Sequence, residues 1–217
     1  MSSLLEKEKG YYSSDRVDML DFIPENSRKT LEVGCGEGNF SLEIKKKLNA
    51  ETWGVEFNKE SAENAKNKLY KVFNGDINTL LPDLPDNYFD CIIFNDVIEH
   101  ITDPFILLKN LKCKFSSKGV LIASIPNVRY INVLNSLIFK KDWEYIDAGI
   151  LDYTHLRFFT QKSIKRMFEL TGYDTIEVKG INSTNQFRYY LWNIIFPGQF
   201  IDSKYKQFAC VARLKQG

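Results

Sequence analysis

The chain of 217 residues carries almost no excess charge of either sign: 29 Lys and Arg stand against 28 Asp and Glu, a formal net charge of +1. A bulk electrostatic pull toward nucleic acid or an anionic membrane is therefore not expected. Cysteine is scarce. The four present, Cys35, Cys91, Cys113 and Cys210, form no CxxC pair and fit no zinc-module spacing. Cys35, Cys91 and Cys210 border apolar runs, where a buried thiol is the expectation. No stretch approaches the ~18 consecutive apolar residues of a membrane helix. Met1 to Gly10 is polar and lacks an apolar signal region. These absences predict a reducing, cytoplasmic setting without a membrane span. Internal repeats and low-complexity linkers are also missing. What remains is a globular balance, 44% hydrophobic and 26% charged, with aromatics at 14% to furnish a large core and some pocket lining. The length suits one domain.

Short apolar runs alternate with amphipathic stretches. Strands are expected at 28–33, 52–57, 71–73, 88–95, 120–125, 174–181 and 207–214. Glu37 to Leu48 places Phe40, Ile44 and Leu48 on one helical face. Asn58 suits the cap of a helix that turns Ala62, Ala65 and Leu69 inward. Asp103-Pro104 marks the start of a helix running to about Lys114. Ser116 to Gly119 reads as a turn, and Thr160 caps a helix closed by Gly172. Repeated strand–helix–strand order implies an α/β fold with a mostly parallel sheet and right-handed crossovers. Two long segments interrupt the rhythm, 126–159 and 182–206. Such connections are commonly covers or interfaces. No helix is required between the last two strands.

Leu31-Glu32-Val33-Gly34-Cys35-Gly36-Glu37-Gly38 joins the first strand to its helix. Glycines there permit a tight bend and close approach of a ligand to the backbone, and the helix start favours an anionic group. The spacing is GxGxG. A dinucleotide fingerprint would need glycine at 39, where Asn39 stands, and no GxxxxGK[ST] loop exists. Glu56 ends the second strand, 22 residues past Gly34. In an open parallel sheet this sets a carboxylate beside the same crevice, able to accept from a ribose diol. The alternative is a solvated turn acid. Asp76, followed by Ile77, offers a carboxylate to an adenine amino group with Phe57 on the other ring face; otherwise it makes an Asx turn.

LEVGCGEGNF, GVEFN, NGDI and FDCIIFNDVIEHITDP, in this order over Leu31 to Pro104, resemble a class I S-adenosylmethionine-dependent methyltransferase. The resemblance implies a Rossmann-like sheet of seven strands in the order 3-2-1-4-5-7-6, with the last antiparallel. It implies that Glu32 and the turn Gly34, Cys35, Gly36 and Gly38 hold the methionine part. It assigns Glu56 to the ribose, Asp76 and Ile77 to adenine, and Asn95 and Asp96 to the methyl-donor side. Tyr11-Tyr12…Arg16 resembles the N-terminal lid of such enzymes, which makes Tyr12 and Arg16 candidates for covering the cofactor; a polar leader is the alternative.

Asn95-Asp96-Val97-Ile98 differs from the [DN]PP[YF] motif of amino-methylating DNA enzymes. The segments around Pro126-Asn127, Trp143-Glu144-Tyr145 and 149–160 resemble small bacterial methyltransferases linked to polysaccharide or O-antigen synthesis, or of ubiquinone type. A small-molecule or saccharide hydroxyl is the expected acceptor. Such a hydroxyl needs a base, and histidine has the most suitable pKa. The chain has two histidines. His155 is the expected base, with Asp152 and Arg157 positioning it or the substrate, because residues two apart on an extended segment share a side. Asn127, Tyr130 and Trp143 are expected to line the pocket. His100 joins them or merely orients its loop, and the 152–157 cluster otherwise pins the long connection to the sheet. No carboxylate cluster for a metal stands out. The run 189–196 is a dimer surface, a substrate cap or core, so monomer and homodimer both stay open. Two rival classes are an NAD-binding oxidoreductase and an inactive cofactor-binding scaffold.

Overall fold

The computed structural model describes residues 16–215. In chain order its elements are β1 (Lys29–Val33), α1 (Asn39–Leu48), β2 (Glu51–Glu56), α2 (Lys59–Lys66), β3 (Lys71–Asn74), α3 (Ile77–Leu80), β4 (Phe89–Asn95), α4 (Pro104–Leu111), β5 (Phe115–Pro126), α5 (Ile131–Asn135), α6 (Gln161–Thr171), β6 (Tyr173–Ser183), α7 (Phe187–Ile195) and β7 (Tyr205–Leu214). The seven strands form one sheet in the order β3-β2-β1-β4-β5-β7-β6. β7 runs antiparallel to both neighbours, β5 and β6. The expected order and the expected antiparallel strand are both present.

β4 shows why the sheet sits centrally. Ile92 and Phe94 pack on one face with Leu107, Leu108, Ile164 and Phe168 of α4 and α6. Cys91 and Ile93 pack on the other with Met19, Phe40 and Ile44. Period-two alternation feeds two cores from one strand buried on both sides, as parallel strands require. The caps follow the sequence. Asn58 Oδ1 accepts from Ser61 N at 2.9 Å, Asp103 Oδ1 accepts from Ile106 N at 3.0 Å, and Thr160 makes a capping box with Ser163 before Gly172 closes α6. Each cap satisfies amide donors that a helix start leaves open.

Three expectations need correction. Ser116 to Gly119 is no turn: β5 begins at Phe115 and pairs it with Phe89 across a bulge. A Cβ on Gly119 would lie 2.8 Å from the Phe89 carbonyl oxygen, so this glycine allows close strand approach. Asp90, at the bulge, accepts from the amides of Arg28 and Lys29 and from Ser116 Oγ, which holds the altered register. α4 ends at Leu111 and a 3₁₀ turn carries the chain to Lys114. Finally, α7 lies between β6 and β7 with no buried residue. Its run is dominated by aromatic and aliphatic residues, with only Arg188 and Asn193 as strongly polar breaks, so it does not stand out as a helix in the sequence.

The two long segments meet. Tyr130, Ile131, Val133 and Leu151 form a separate small core against which Trp143, Phe158, Tyr189 and Trp192 pack. Trp192 Nε1 donates to Asn135 Oδ1 at 3.1 Å, and Arg129 Nε donates to Asp202 Oδ2 at 2.7 Å. The result is a cap over the carboxyl ends of β4 and β5.

Candidate functional site

The glycine bend runs through left-handed backbone that glycine adopts without strain. Gly34, Gly36 and Gly38 have φ of 73°, 52° and 78°. A Cβ on Gly34 would fall 2.5 Å from Val97 Cγ2. The amides of Gly34 and Cys35 both donate to the Val55 carbonyl, at 2.7 and 3.2 Å. Gly36 N donates to Glu56 Oε2 and Asn58 N to Glu56 Oε1, each at 2.8 Å. Glu56 is therefore buried, not a solvated turn acid. Each of its oxygens still has acceptor capacity for a further donor. Burial pushes its carboxyl above the usual range, against the pull of the Asn58 and Gly36 amides.

Behind the bend, Glu32 accepts from Ser41 Oγ at 2.7 Å and from Asn95 Nδ2 at 3.2 Å. Burial raises its pKa to about 7, opposed by those same donors. Asn95 Oδ1 is buried without a hydrogen-bond partner. An orphaned buried acceptor beside a bend of this kind fits a ligand that brings a donor, such as an amino-acid ammonium. Asp76 makes the Asx arrangement, with Oδ1 accepting from Asn78 N and Nδ2 at 2.9 Å. Ile77 is buried, and Phe57 presents a ring 66% exposed at the end of β2. Burial pushes the Cys35 thiol up, so it stays a neutral wall of the bend.

Asp96 follows β4 with a left-handed φ of 55°. Its carboxylate accepts from Arg16, from Gln207 Nε2 and from Ser124 Oγ. Arg16 also donates to Ser124 Oγ at 3.0 Å. Thus Arg16 sits at the site. Tyr12 lies outside the described residues. Beyond Asp96 opens a cavity of about 260 Å³ lined by Asp96, Glu99, Ile150, Asp152, His155 and Gln207, among others.

At the wall of this cavity His155 Nδ1 lies 3.0 Å from the Ile150 carbonyl oxygen. A carbonyl only accepts, so Nδ1 carries the proton and Nε2 the lone pair in the neutral ring. Nε2 is 3.9 Å from Glu99 Oε1. His100 meets His155 edge to face, with ring centroids 4.7 Å apart, and its Nδ1 is 3.1 Å from the Thr154 carbonyl. Glu99 is 1% exposed, and neither of its carboxylate oxygens has a hydrogen-bond partner. Burial, followed by the nearby Asp96 charge, drives its carboxyl well above the usual range. Reading along the chain for clustered carboxylates misses this trio. Glu99 and His100 are adjacent, and His155 is delivered by the cap.

Other expected residues take different places. Asp152 is a cavity wall whose Oδ1 accepts from Thr154 N and Oγ1. Arg157 is exposed and donates to the Thr102 carbonyl. The amides of Leu156 and Arg157 both reach the Glu99 carbonyl, at 2.9 and 3.0 Å. Two successive amides pointing one way mean that the segment is not extended there, which removes the basis for a shared side. Asn127 is 0% exposed and is not part of the lining of this cavity. Its Nδ2 donates to the carbonyls of Asp202 and Tyr205, and its Oδ1 accepts from Arg129 N, so it clamps the two halves of the cap. Tyr130 is buried in the cap core. Trp143 stacks edge to face on Phe158 at 5.0 Å.

Comparison with known proteins places this geometry. The family model for a methyltransferase domain matches residues 5–178. A search of curated proteins found no match. Among solved structures, a SAM-dependent methyltransferase from Archaeoglobus fulgidus aligns with TM-score 0.65 and 21% identity, covering 87% of this chain and 86% of that one. One from Thermotoga maritima aligns with TM-score 0.64 and 19% identity over 94% and 89%. One from Mesorhizobium loti gives 0.63 and 14% over 90% and 95%. The oxidoreductase alternative falls with the family match. No helix among the described residues is long and apolar enough to cross a membrane. With a glycine bend and carboxylates at the carboxyl ends of β1, β2 and β4, the chain belongs to the methyltransferase-domain family and is a class I S-adenosylmethionine-dependent methyltransferase.

Proposed function

We propose that the enzyme methylates a hydroxyl of a small-molecule or saccharide-type acceptor seated in the cavity beside Asp96, in the cytoplasm. The observation that carries this reading is the proximity of His155, on the cavity wall, to Asp96 at the end of β4. In it, Glu32, Asn95 and the Gly34–Gly38 bend hold the methionine part of the cofactor. Glu56 takes the ribose hydroxyls, and Asp76, Ile77 and Phe57 frame the adenine. Arg16 and Asp96 close the methyl-donor side. When bound, S-adenosylmethionine supplies a methyl group already activated by its sulfonium.

The protein's remaining tasks are alignment, exclusion of water and handling of the acceptor proton. A neutral hydroxyl is a poor nucleophile near pH 7. His155, whose Nδ1 donates to the Ile150 carbonyl, is the side chain on which that task falls. The aromatic cluster of Trp143, Tyr145 and Phe158 gives sugar-ring C–H faces a place to rest.

The test is a screen of nucleotide-sugars, phenols and small amines with homocysteine release as the readout. Hydroxyl acceptors are expected to turn over, and His155→Ala is expected to lower kcat by ~10²–10⁴-fold with cofactor affinity unchanged. Turnover confined to amines, or an undiminished kcat in the variant, defeats the reading.

A further inference from the structure

We propose that Glu99, His100 and His155 form a binding site for one divalent transition-metal ion, such as Mn²⁺, Co²⁺ or Zn²⁺, open to the acceptor cavity. One ligand atom from each residue lies within 4.8 Å of the others. Two imidazoles and one carboxylate suit such ions better than Mg²⁺ or Ca²⁺, which prefer all-oxygen sets.

Three observations converge. Both rings are turned by their far nitrogens. His155 Nδ1 donates to the Ile150 carbonyl at 3.0 Å and His100 Nδ1 to the Thr154 carbonyl at 3.1 Å. Backbone carbonyls orient metal-ligating histidines in just this way, through the ring nitrogen opposite the one that meets the ion. Second, the Glu99 carboxylate is buried, lines the cavity and has no hydrogen-bond partner on either oxygen. A carboxylate in that position is costly unless something compensates it. Third, the cavity collects Asp96, Glu99 and Asp152, while Arg16 already engages Asp96 and Asp18. A dication would balance the remaining negative charge. Contraction from 4.8 Å to the spacing of a shared ion needs only small side-chain rotations, because bond lengths of about 2.0–2.2 Å put neighbouring donors roughly 3–3.5 Å apart.

The inference rests on the cavity as acceptor site and sharpens the task given to His155. As a ligand the ring acts on the acceptor through the ion. An acceptor hydroxyl oxygen takes an open coordination position, its O–H bond breaks, the electron pair stays on oxygen, and the proton leaves to water at the cavity mouth. The ion's charge lowers the pKa of that hydroxyl.

The full-length, untagged chain is stripped with chelator, dialysed and titrated with CoCl₂ and MnCl₂ by calorimetry, with the visible spectrum of Co²⁺ as a second readout. One ion per chain is expected, with Co²⁺ bands showing nitrogen ligation. Affinity is expected to fall at least tenfold in both Glu99→Gln and His155→Asn. Two variants guard against loss of fold in one, and each is accepted only with a cooperative thermal transition. Absence of stoichiometric binding, or binding unchanged in both variants, overturns the site. The base reading is judged separately. A wild-type enzyme that binds no ion yet methylates hydroxyls with a His155-dependent pH profile sinks the metal alone. An enzyme that binds the ion through these residues but methylates no hydroxyl keeps the site and loses the acceptor assignment.

Discussion

The cofactor end and the cap are built on opposite plans. Around Gly34–Gly38 the bend is tied to the end of the adjacent parallel strand by backbone amides that donate to the Val55 carbonyl and to Glu56. The cap joins segments that lie far apart in the chain, through side chains such as Trp192 on Asn135 and Asn127 on Asp202. The first plan is rigid and local. The second is a small, partly exposed core that can vary without disturbing the sheet. Cofactor binding should therefore be brittle to backbone changes, and acceptor binding graded in response to packing.

The harshest break in this contrast is Gly34→Ala. Its Cβ would fall 2.5 Å from Val97 Cγ2, at a φ that L-residues avoid. Loss of S-adenosylhomocysteine affinity by ~100-fold or more is expected by calorimetry, a cost of about 3 kcal/mol. Near-normal affinity would show that the bend is pliable. Glu32→Gln comes next. The parent carboxyl, with a pKa raised from 4.5 to about 7, binds an extra proton when folded. Its contribution is intact below the unfolded value and is lost as pH rises through 7. The variant should match the parent near pH 4.5 and exceed it at pH 8 by up to about 3 kcal/mol in urea unfolding. A parent that loses no ground between those pH values refutes the raised pKa. The mildest change is Trp192→Ala. A several-fold rise in acceptor KM is expected, with cofactor affinity within twofold and a Tm drop of about 2–4 °C, the scale of about 1 kcal/mol. An equal loss of cofactor affinity would mean that cap and sheet are one unit.

The same division decided what could be read from the sequence. GxGxG, Glu56 and Asp76 lie on short connections whose spacing already implies neighbourhood in a parallel sheet, so this end was legible. Gly119 misled because glycine serves close strand approach as well as turns. α7 was hidden because its mostly aromatic and aliphatic residues fit a cap, an interface or a core equally well. Arg157 was misjudged because two amides converge on the Glu99 carbonyl and end the alternation. The Glu99–His100–His155 trio was out of reach, since only the cap's path brings His155 to β4. Gln207, which ties β7 to Asp96, carries no local signature.

The placement of β7 has a temporal consequence. It is wedged between β5 and β6, touching both, and Lys206 and Gln207 lie on the cavity wall. A chain still emerging from the ribosome can complete the bend at Gly34–Gly38 long before Tyr205–Leu214 is released. Until then β6 has no strand to pair with, and the room beside Asp96 lacks one side. Synthesis is thus ordered so that the donor's berth precedes the acceptor's, and half-made copies have no finished place to hold an acceptor.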